Sequence, residues 1–531
     1  MYAGNHSVSD SASLDAAAVV STNRTTRNAF SNYAYYAAQA VVLLALQAYV
    51  VRTLGKEHYS IWPVLRSCIN LAGLIQIGLG AGAARFIAVA IGHRDEAKIQ
   101  KLVGTYLIAT LIGALAFLLV SVAFAWKLEH LFNVPDEFAT EARWSMVVMG
   151  LSGGVQMVGS VFAGALTASQ SFVRLNALRS SLLLVRVFIV LCSFSAFGPG
   201  LVSVAASHLV VSIVESVGGA LLAKSVLPWL QITCKGAGWA TFREINSFSL
   251  LTLVTAVAAR LYWDTDNVLI NHALDPTMVA GYSIVTLILL KCTMVISLAS
   301  NAVAAPLAVL YGQGQFKRIA NAIYRANRIA VPAGSFCIIF VMLFGEEFIV
   351  CYAGNEYREY ATLFPLIGIG FLVSATQNLP SRVPGVFGKV GVPAAMSLFF
   401  ALLNVVLSLI FVCWFEWGIL GVAGGTVAVQ LMYRATFYPI FVANLLNEPL
   451  GFFFWKTVVM PLAACIPVAA FLSLLKLLDL GNDLIELLLC GSLGVIAQIL
   501  FIVIWGIDAV DRRKLFEAVS RLSRRPSQAS A

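Results

Sequence analysis

The sequence predicts an all-α polytopic membrane protein, and three observations carry that prediction. Of 531 residues, 60% are hydrophobic and only 11% are Asp, Glu, Lys or Arg, less than half the roughly 25% charge with which a soluble domain covers its surface. The apolar residues are gathered into runs of about 20 to 30, the length an α-helix needs to cross a bilayer with some tilt. The polar loops between runs alternate between rich and poor in Lys and Arg, as they do where basic loops are retained in the cytoplasm.

Breaking the runs at charge, Pro and Gly clusters gives fourteen transmembrane spans. The first seven fall at about 29–51, 60–91, 102–126, 144–168, 175–197, 201–223 and 246–271. The rest fall at about 277–305, 329–350, 361–381, 391–414, 417–446, 457–475 and 484–507. Ahead of span 1, residues 1–28 are small and polar, and the short Ala16 to Val20 stretch has neither the basic flank nor the length of a signal peptide. A disordered cytoplasmic tail is expected there. Span 2 is thinned by Gly73, Gly78, Gly80 and Gly82 for close packing or bending. Between spans 3 and 4, Glu129, Asp136, Glu137 and Glu141 read as a solvated acidic face. Spans 5 and 6 form a hairpin turned at Phe197-Gly198-Pro199-Gly200. A cytoplasmic linker, 226–245, precedes span 7. After span 14, residues 508–531 contain Arg512, Arg513 and Lys514 beside Leu515, Phe516, Val519 and Leu522, an amphipathic helix expected to lie on anionic inner-leaflet lipid.

With both termini in the cytoplasm, 23 of the 35 basic residues fall on the cytoplasmic side, six outside and six within spans. One missed or invented helix would invert every later loop and destroy this asymmetry. The chain also repeats. Tyr59-Ser60-Ile61 returns as Tyr282-Ser283-Ile284 at an offset of 223, and Gly200 matches Gly421 at an offset of 221. The loop Val134-Pro135-Asp136-Glu137-Phe138 resembles Gly354-Asn355-Glu356-Tyr357 at nearly the same offset. The expected architecture is two pseudo-symmetric six-helix lobes, an N-lobe over 29–225 and a C-lobe over 246–447, followed by a helix pair in 448–507. Parallel repeats of this kind are a common transporter plan.

Several classes of function are set aside by what the sequence contains. The nine cysteines are scattered singly and the six histidines are equally dispersed, which favours neither a disulfide framework nor a metal cofactor. No GxxxxGK[ST] nucleotide-binding motor occurs. Outer loops of no more than about 20 residues argue against a membrane enzyme such as a polymerase or ligase, which is kept as a distant alternative. No nucleic-acid partner and no enzymatic activity are expected.

Ionisable residues inside a span cost on the order of 3 kcal/mol on insertion scales and should face a partner or a water-filled cavity. Nine qualify: Arg66, Arg85, Arg186, Arg260, Lys291 and Arg434 against Glu215, Asp264 and Asp266. A net positive interior suits phosphate or pyrophosphate. Counted from the inner ends of spans 5 and 6, Arg186 and Glu215 lie at similar depth and are expected to form a structural ion pair. Arg85 and Arg434 lie within snorkelling reach of the surface. Arg66, Asn70 and Gly73 share one face of span 2, and Arg260, Asp264, Asn267 and Asn271 share one face of span 7. The repeat offset carries Arg66 to within two residues of Lys291. Tyr282, Thr286, Thr293, Ser297 and Asn301 add a polar stripe on span 8, and Asn32, Tyr36 and Gln39 one on span 1; such residues also serve as glue between helices.

Arg52-Thr53-Leu54-Gly55, Tyr59, and Gly78-Leu79-Gly80-Ala81-Gly82-Ala83-Ala84-Arg85-Phe86-Ile87-Ala88 resemble the opening signature of the Wzx-type polysaccharide flippases of the multidrug/oligosaccharidyl-lipid/polysaccharide exporter superfamily. Phe132-Asn133-Val134-Pro135, Asp266, and Gly418-Ile419-Leu420-Gly421-Val422-Ala423-Gly424-Gly425-Thr426 fit the same pattern, so that the resemblance covers about 29–447. Ser60 departs from the usual Gly after the Tyr. The resemblance implies a two-lobed transporter that moves an undecaprenyl-pyrophosphate-linked oligosaccharide across a bacterial inner membrane by alternating access. Lipid II flippases and cation-coupled drug antiporters share the superfamily and stay open as alternatives. Arg66, Arg260 and Lys291, with Asn70 and Asn267, are the expected substrate-binding residues. Asp264 and Asp266 would balance charge, position Arg260 or take up a coupling H+ or Na+. Expected partners are the lipid-linked oligosaccharide, anionic lipid, and a polysaccharide polymerase with its chain-length proteins.

Overall fold

The computed structural model describes residues 7–76, 83–93, 95–228, 238–247 and 249–506, with side chains for most of them from Arg27 onward. The amphipathic segment at 512–522 and Gly78, Gly80 and Gly82 lie outside the described residues, as does the side chain of Arg85. The described chain is helix and turn throughout, in two compact units, Met1–Arg260 and Leu261–Ala531.

The first unit begins with α1 (Ser7–Ala72), whose helical backbone reaches back into the 1–28 stretch that the sequence alone reads as disordered; the Ala16-Ala17-Ala18 run favours helix there. Helix α1 is broken at Gly55, with φ +76° and ψ 171°, so that its two arms correspond to spans 1 and 2. A Cβ at Gly55 would meet nothing within 4 Å. The backbone conformation, not space, requires glycine. Next come α2 (Ala83–Gly92), α3 (Glu96–Trp126), α4 (Asp136–Ala168), α5 (Phe172–Phe197) and α6 (Leu201–Val226). The Asp95 carboxylate caps α3 by accepting from the Lys98 amide at 2.9 Å. Helices α4 and α6 lie close because small residues face each other: Ser152 Oγ and Ser212 Oγ are 2.9 Å apart, and a Cβ on Gly159 would run into Ser216. Ile87, Leu102, Val161 and Phe162 fill the core beneath them.

Glu141 is not simply part of a solvated acidic face. It accepts from the Leu201 amide at 2.5 Å and meets His58 Nε2 at 2.8 Å, placing a carboxylate on the positive N-terminus of α6. Within span 1, Asn32 is glue, since Asn176 of α5 donates to its Oδ1 at 2.6 Å.

Helix α7 (Trp239–Ser247) lies in the linker, and α8 (Ser249–Ala273) carries the chain into the second unit. There follow α9 (Met278–Cys292), α10 (Met294–Gly312), α11 (Phe316–Leu343), α12 (Leu363–Thr376), α13 (Gly391–Cys413), α14 (Gly418–Leu431), α15 (Tyr438–Leu446), α16 (Ile466–Leu477) and α17 (Leu484–Phe501). Among the described residues, ten helical stretches are long and apolar enough to cross a membrane. They account for spans 1–6, 9–11, 13 and 14. The other three expected spans coincide with helices that carry charge or break. Span 7 holds Arg260, Asp264 and Asp266, span 8 is interrupted at Thr293, and span 12 widens into a π-helical turn over Met432–Phe437 around Arg434. Span 9 also needs correction: α11 starts at Phe316, so that Lys317, Arg318, Arg325 and Arg328 form its first turns and not a loop. Their apolar neighbours Ile319 and Ile323 are fully buried, which is what extends the helix.

Candidate functional site

In the first unit, a cationic cluster forms where the second arm of α1 meets α5 and α6. Trp62 is buried, and its ring lies 5.7 Å from that of His208 on α6. Arg186 on α5 hydrogen-bonds through Nη2 to His208 Nε2. A guanidinium can only donate, so that His208 accepts as a neutral imidazole with its proton on Nδ1. Arg66, one turn after Trp62, is exposed and within electrostatic reach of both Arg186 and His208. Arg186 Nε is buried with no hydrogen-bond partner. Among the described residues no carboxylate pairs with Arg66 or Arg186.

This arrangement corrects the expected Arg186–Glu215 ion pair. Glu215 Oε1 accepts from Arg179 Nε at 2.8 Å, while Arg186 is taken by His208. The residue numbers of the two pairs have the same sum, as they must where antiparallel helices meet at constant register. The Gly198–Gly200 turn sets that register, and it puts Arg179 opposite Glu215. Counting depth from span ends missed it by two turns.

In the second unit the prominent feature is Asp266, only 2% exposed. Its Oδ2 accepts from Tyr282 Oη at 2.6 Å and Thr426 Oγ1 at 2.9 Å, and its Oδ1 from Asn404 Nδ2 at 3.4 Å. Tyr262 Oη donates to the Thr426 carbonyl at 2.7 Å. One carboxylate thus ties α8, α9, α13 and α14 together. Asp264 is also buried, and its charge is felt at Asp266. Asn267 and Lys291 are half-buried, and both take part in further contacts. The same holds for Arg260 and Asn70 in the first unit.

Sequence reasoning missed His208 and Asn404. A lone histidine and a lone asparagine carry no spacing signal, and only the packing of distant helices gives them partners. Thr426 was visible inside a glycine-rich run, without its role.

The first unit also holds two clefts of interest. One, of about 520 Å³, is almost wholly apolar and runs along Ile108, Ile112 and Ala116 of α3 under Trp239 and Phe242 of α7. The other, about 200 Å³, mixes polar and apolar side chains and lies between α4, α5 and α6.

A family model described as "Polysaccharide biosynthesis protein" matches residues 25–309, and one described as "MatE" matches residues 252–410. The "Uncharacterized membrane protein EpsK" of Bacillus subtilis (strain 168) is 21% identical over 426 residues, covering 79% of this chain and 83% of that protein. Among solved structures, the fold resembles an inward-facing multidrug resistance MATE family transporter of the MOP superfamily at 17% identity. The TM-score is 0.66 over 77% of this chain and 94% of that one. A MOP superfamily transporter from Pyrococcus furiosus, reported with a binding pocket of reversed polarity, aligns at 16% identity. Its TM-score is 0.54 over 80% of this chain and 96% of that one.

Proposed function

The chain belongs to the polysaccharide biosynthesis protein family, whose model spans more than half of it, and on that premise we propose that it is a flippase for an undecaprenyl-pyrophosphate-linked oligosaccharide. It carries this substrate from the inner to the outer leaflet of a bacterial inner membrane by alternating access, with both chain termini in the cytoplasm. The single observation that carries the proposal is the Arg66–Arg186–His208 cluster, two guanidiniums within expected spans to which, among the described residues, no carboxylate is paired. Guanidinium forks match phosphate oxygens bidentately, and a pyrophosphate is the anionic group such a lipid carries. Arg260 and Lys291, with Asn70 and Asn267, contribute further polar contacts along the substrate's route. The apolar cleft along α3 suits the hydrocarbon tail. A polymerase and its chain-length proteins act on the product.

The carboxylates favour a second reading, a cation-coupled antiporter. Asp266 takes three donors and has Asp264 as neighbour, and such a group can hold H+ or Na+. In the flippase the same pair supplies the coupling-ion site, which is compatible with the basic cluster; in a drug antiporter the basic cluster has no task.

Both readings are tested in a host whose surface polysaccharide depends on this gene. Arg66→Ala, Arg186→Ala, Arg260→Ala and Lys291→Ala are compared with Arg66→Lys at equal protein level. Loss of polysaccharide display in the alanine variants, with partial retention by Arg66→Lys, supports the flippase. Normal display by every variant contradicts it.

A further inference from the structure

The mixed polar and apolar pocket of about 200 Å³ is smaller than the roughly 300–1,000 Å³ of a drug-sized ligand site and lies wholly within the first unit. Gln76, just beyond α1, and Gln156 and Ser160 of α4 form one wall. Arg179 of α5 and Ser212, Glu215 and Ser216 of α6 form the other. Its chemistry differs from that of the cationic cluster. Arg179 and Glu215 neutralise each other at 2.8 Å, leaving the terminal guanidinium nitrogens and the second carboxylate oxygen available.

The three serines are oriented by their own bonds. Ser160 Oγ donates to the Met157 carbonyl at 2.6 Å, Ser216 Oγ donates to the Val155 carbonyl at 3.1 Å, and Ser212 Oγ shares a hydrogen bond with Ser152. Each such hydroxyl oxygen still has acceptor capacity. Among the described residues, the side-chain amides of Gln76 and Gln156 have no hydrogen-bond partner. A net-neutral pocket offering amides, hydroxyl oxygens and a split ion pair has no preference for a phosphate. It matches a ligand whose groups both donate and accept at adjacent positions, which is the pattern of vicinal sugar hydroxyls. Leu175 and Ala163 supply apolar contact for the C–H face of a ring.

Location ties this pocket to the cluster. Arg179 and Glu215 lie seven residues from Arg186 and His208 respectively, on the same two helices, which is two turns or about 10 Å. We propose that this pocket is a sugar subsite, holding one sugar ring of the lipid-linked oligosaccharide while Arg66 and Arg186 hold its pyrophosphate. The inference rests on the flippase reading, and it assigns selection among glycans to Gln76, Gln156 and Ser216 and selection for the anion to the arginines.

The test uses the purified full chain in lipid nanodiscs. Its probes are bare undecaprenyl pyrophosphate and undecaprenyl pyrophosphate carrying a single hexose or a single N-acetylhexosamine. The wild type binds at least one glycosylated probe more tightly than the bare carrier, by about fivefold for each net hydrogen bond gained. Gln156→Leu and Ser216→Ala reduce that preference without weakening binding of the bare carrier, whereas Arg186→Met weakens all three probes alike. Equal binding of all probes by the wild type overturns the subsite while leaving the flippase reading intact, as does a preference that survives both variants. Binding of no probe contradicts the flippase reading itself.

Discussion

Arg179 and Arg186 sit two turns apart on α5, and the register against α6 decides which of them neutralises Glu215. Both Arg179 and Glu215 are about a quarter to a third accessible, so their coupling is small, about 0.5–1 kcal/mol. Charge exchange makes it visible. Glu215→Arg combined with Arg179→Glu should recover the thermal stability lost by either single change, and combined with Arg186→Glu it should not; a double-mutant cycle on purified protein reads the difference. For Arg66 the expected loss is functional. Arg66→Ala should lower polysaccharide display about tenfold or more, the worth of one charge-assisted hydrogen bond, with unfolding temperature unchanged because the side chain is exposed. The periodicity of Arg66 with Asn70, and of Arg260 with Asp264 and Asn267, was legible in the sequence because it is local to one helix. The partners of Arg186 were not, since they depend on a turn geometry that periodicity does not encode.

At the scale of elements, Gly55 and Asp266 do opposite things: one breaks a helix, the other fastens four. Gly55 holds φ +76° with open space around it. Gly55→Ala should therefore cost about 1–3 kcal/mol from backbone conformation alone, and Gly55→Asn as much, because φ +76° with ψ 171° lies outside the left-handed helical region that asparagine tolerates; thermal unfolding of the two variants gives the comparison. Asp266→Leu leaves the Tyr282 and Thr426 hydroxyls and the Asn404 amide without their acceptor in a buried site. It should destabilise the second unit by at least about 2–3 kcal/mol, more than Asp266→Asn, which keeps one oxygen. Helix placement was largely readable from apolar run length. The exceptions have physical causes: α11 begins a dozen residues early because Ile319 and Ile323 are buried between its basic residues, and span 12 is interrupted where Arg434 sits in a π-helical turn.

For the whole molecule, the family match and the fold describe a multi-pass membrane protein of the polysaccharide biosynthesis family with the fold of MOP-superfamily transporters. For the cargo the charge pattern matters most: under the proposed flippase function the guanidinium pair takes the anion, the net-neutral pocket two turns along the same helices takes a sugar, and the apolar cleft takes the tail, all within the first unit. The orientation is tested by single cysteines introduced at the two ends of a chain whose nine native cysteines are replaced, which should react with a membrane-impermeant thiol reagent only after the cytoplasmic side is opened. The central claim is tested most directly by the leaflet distribution of lipid-linked oligosaccharide in cells lacking this gene. The account predicts accumulation on the inner leaflet, reversed by the wild-type gene and not by Arg66→Ala; an unchanged distribution, with polysaccharide still reaching the surface, would contradict it.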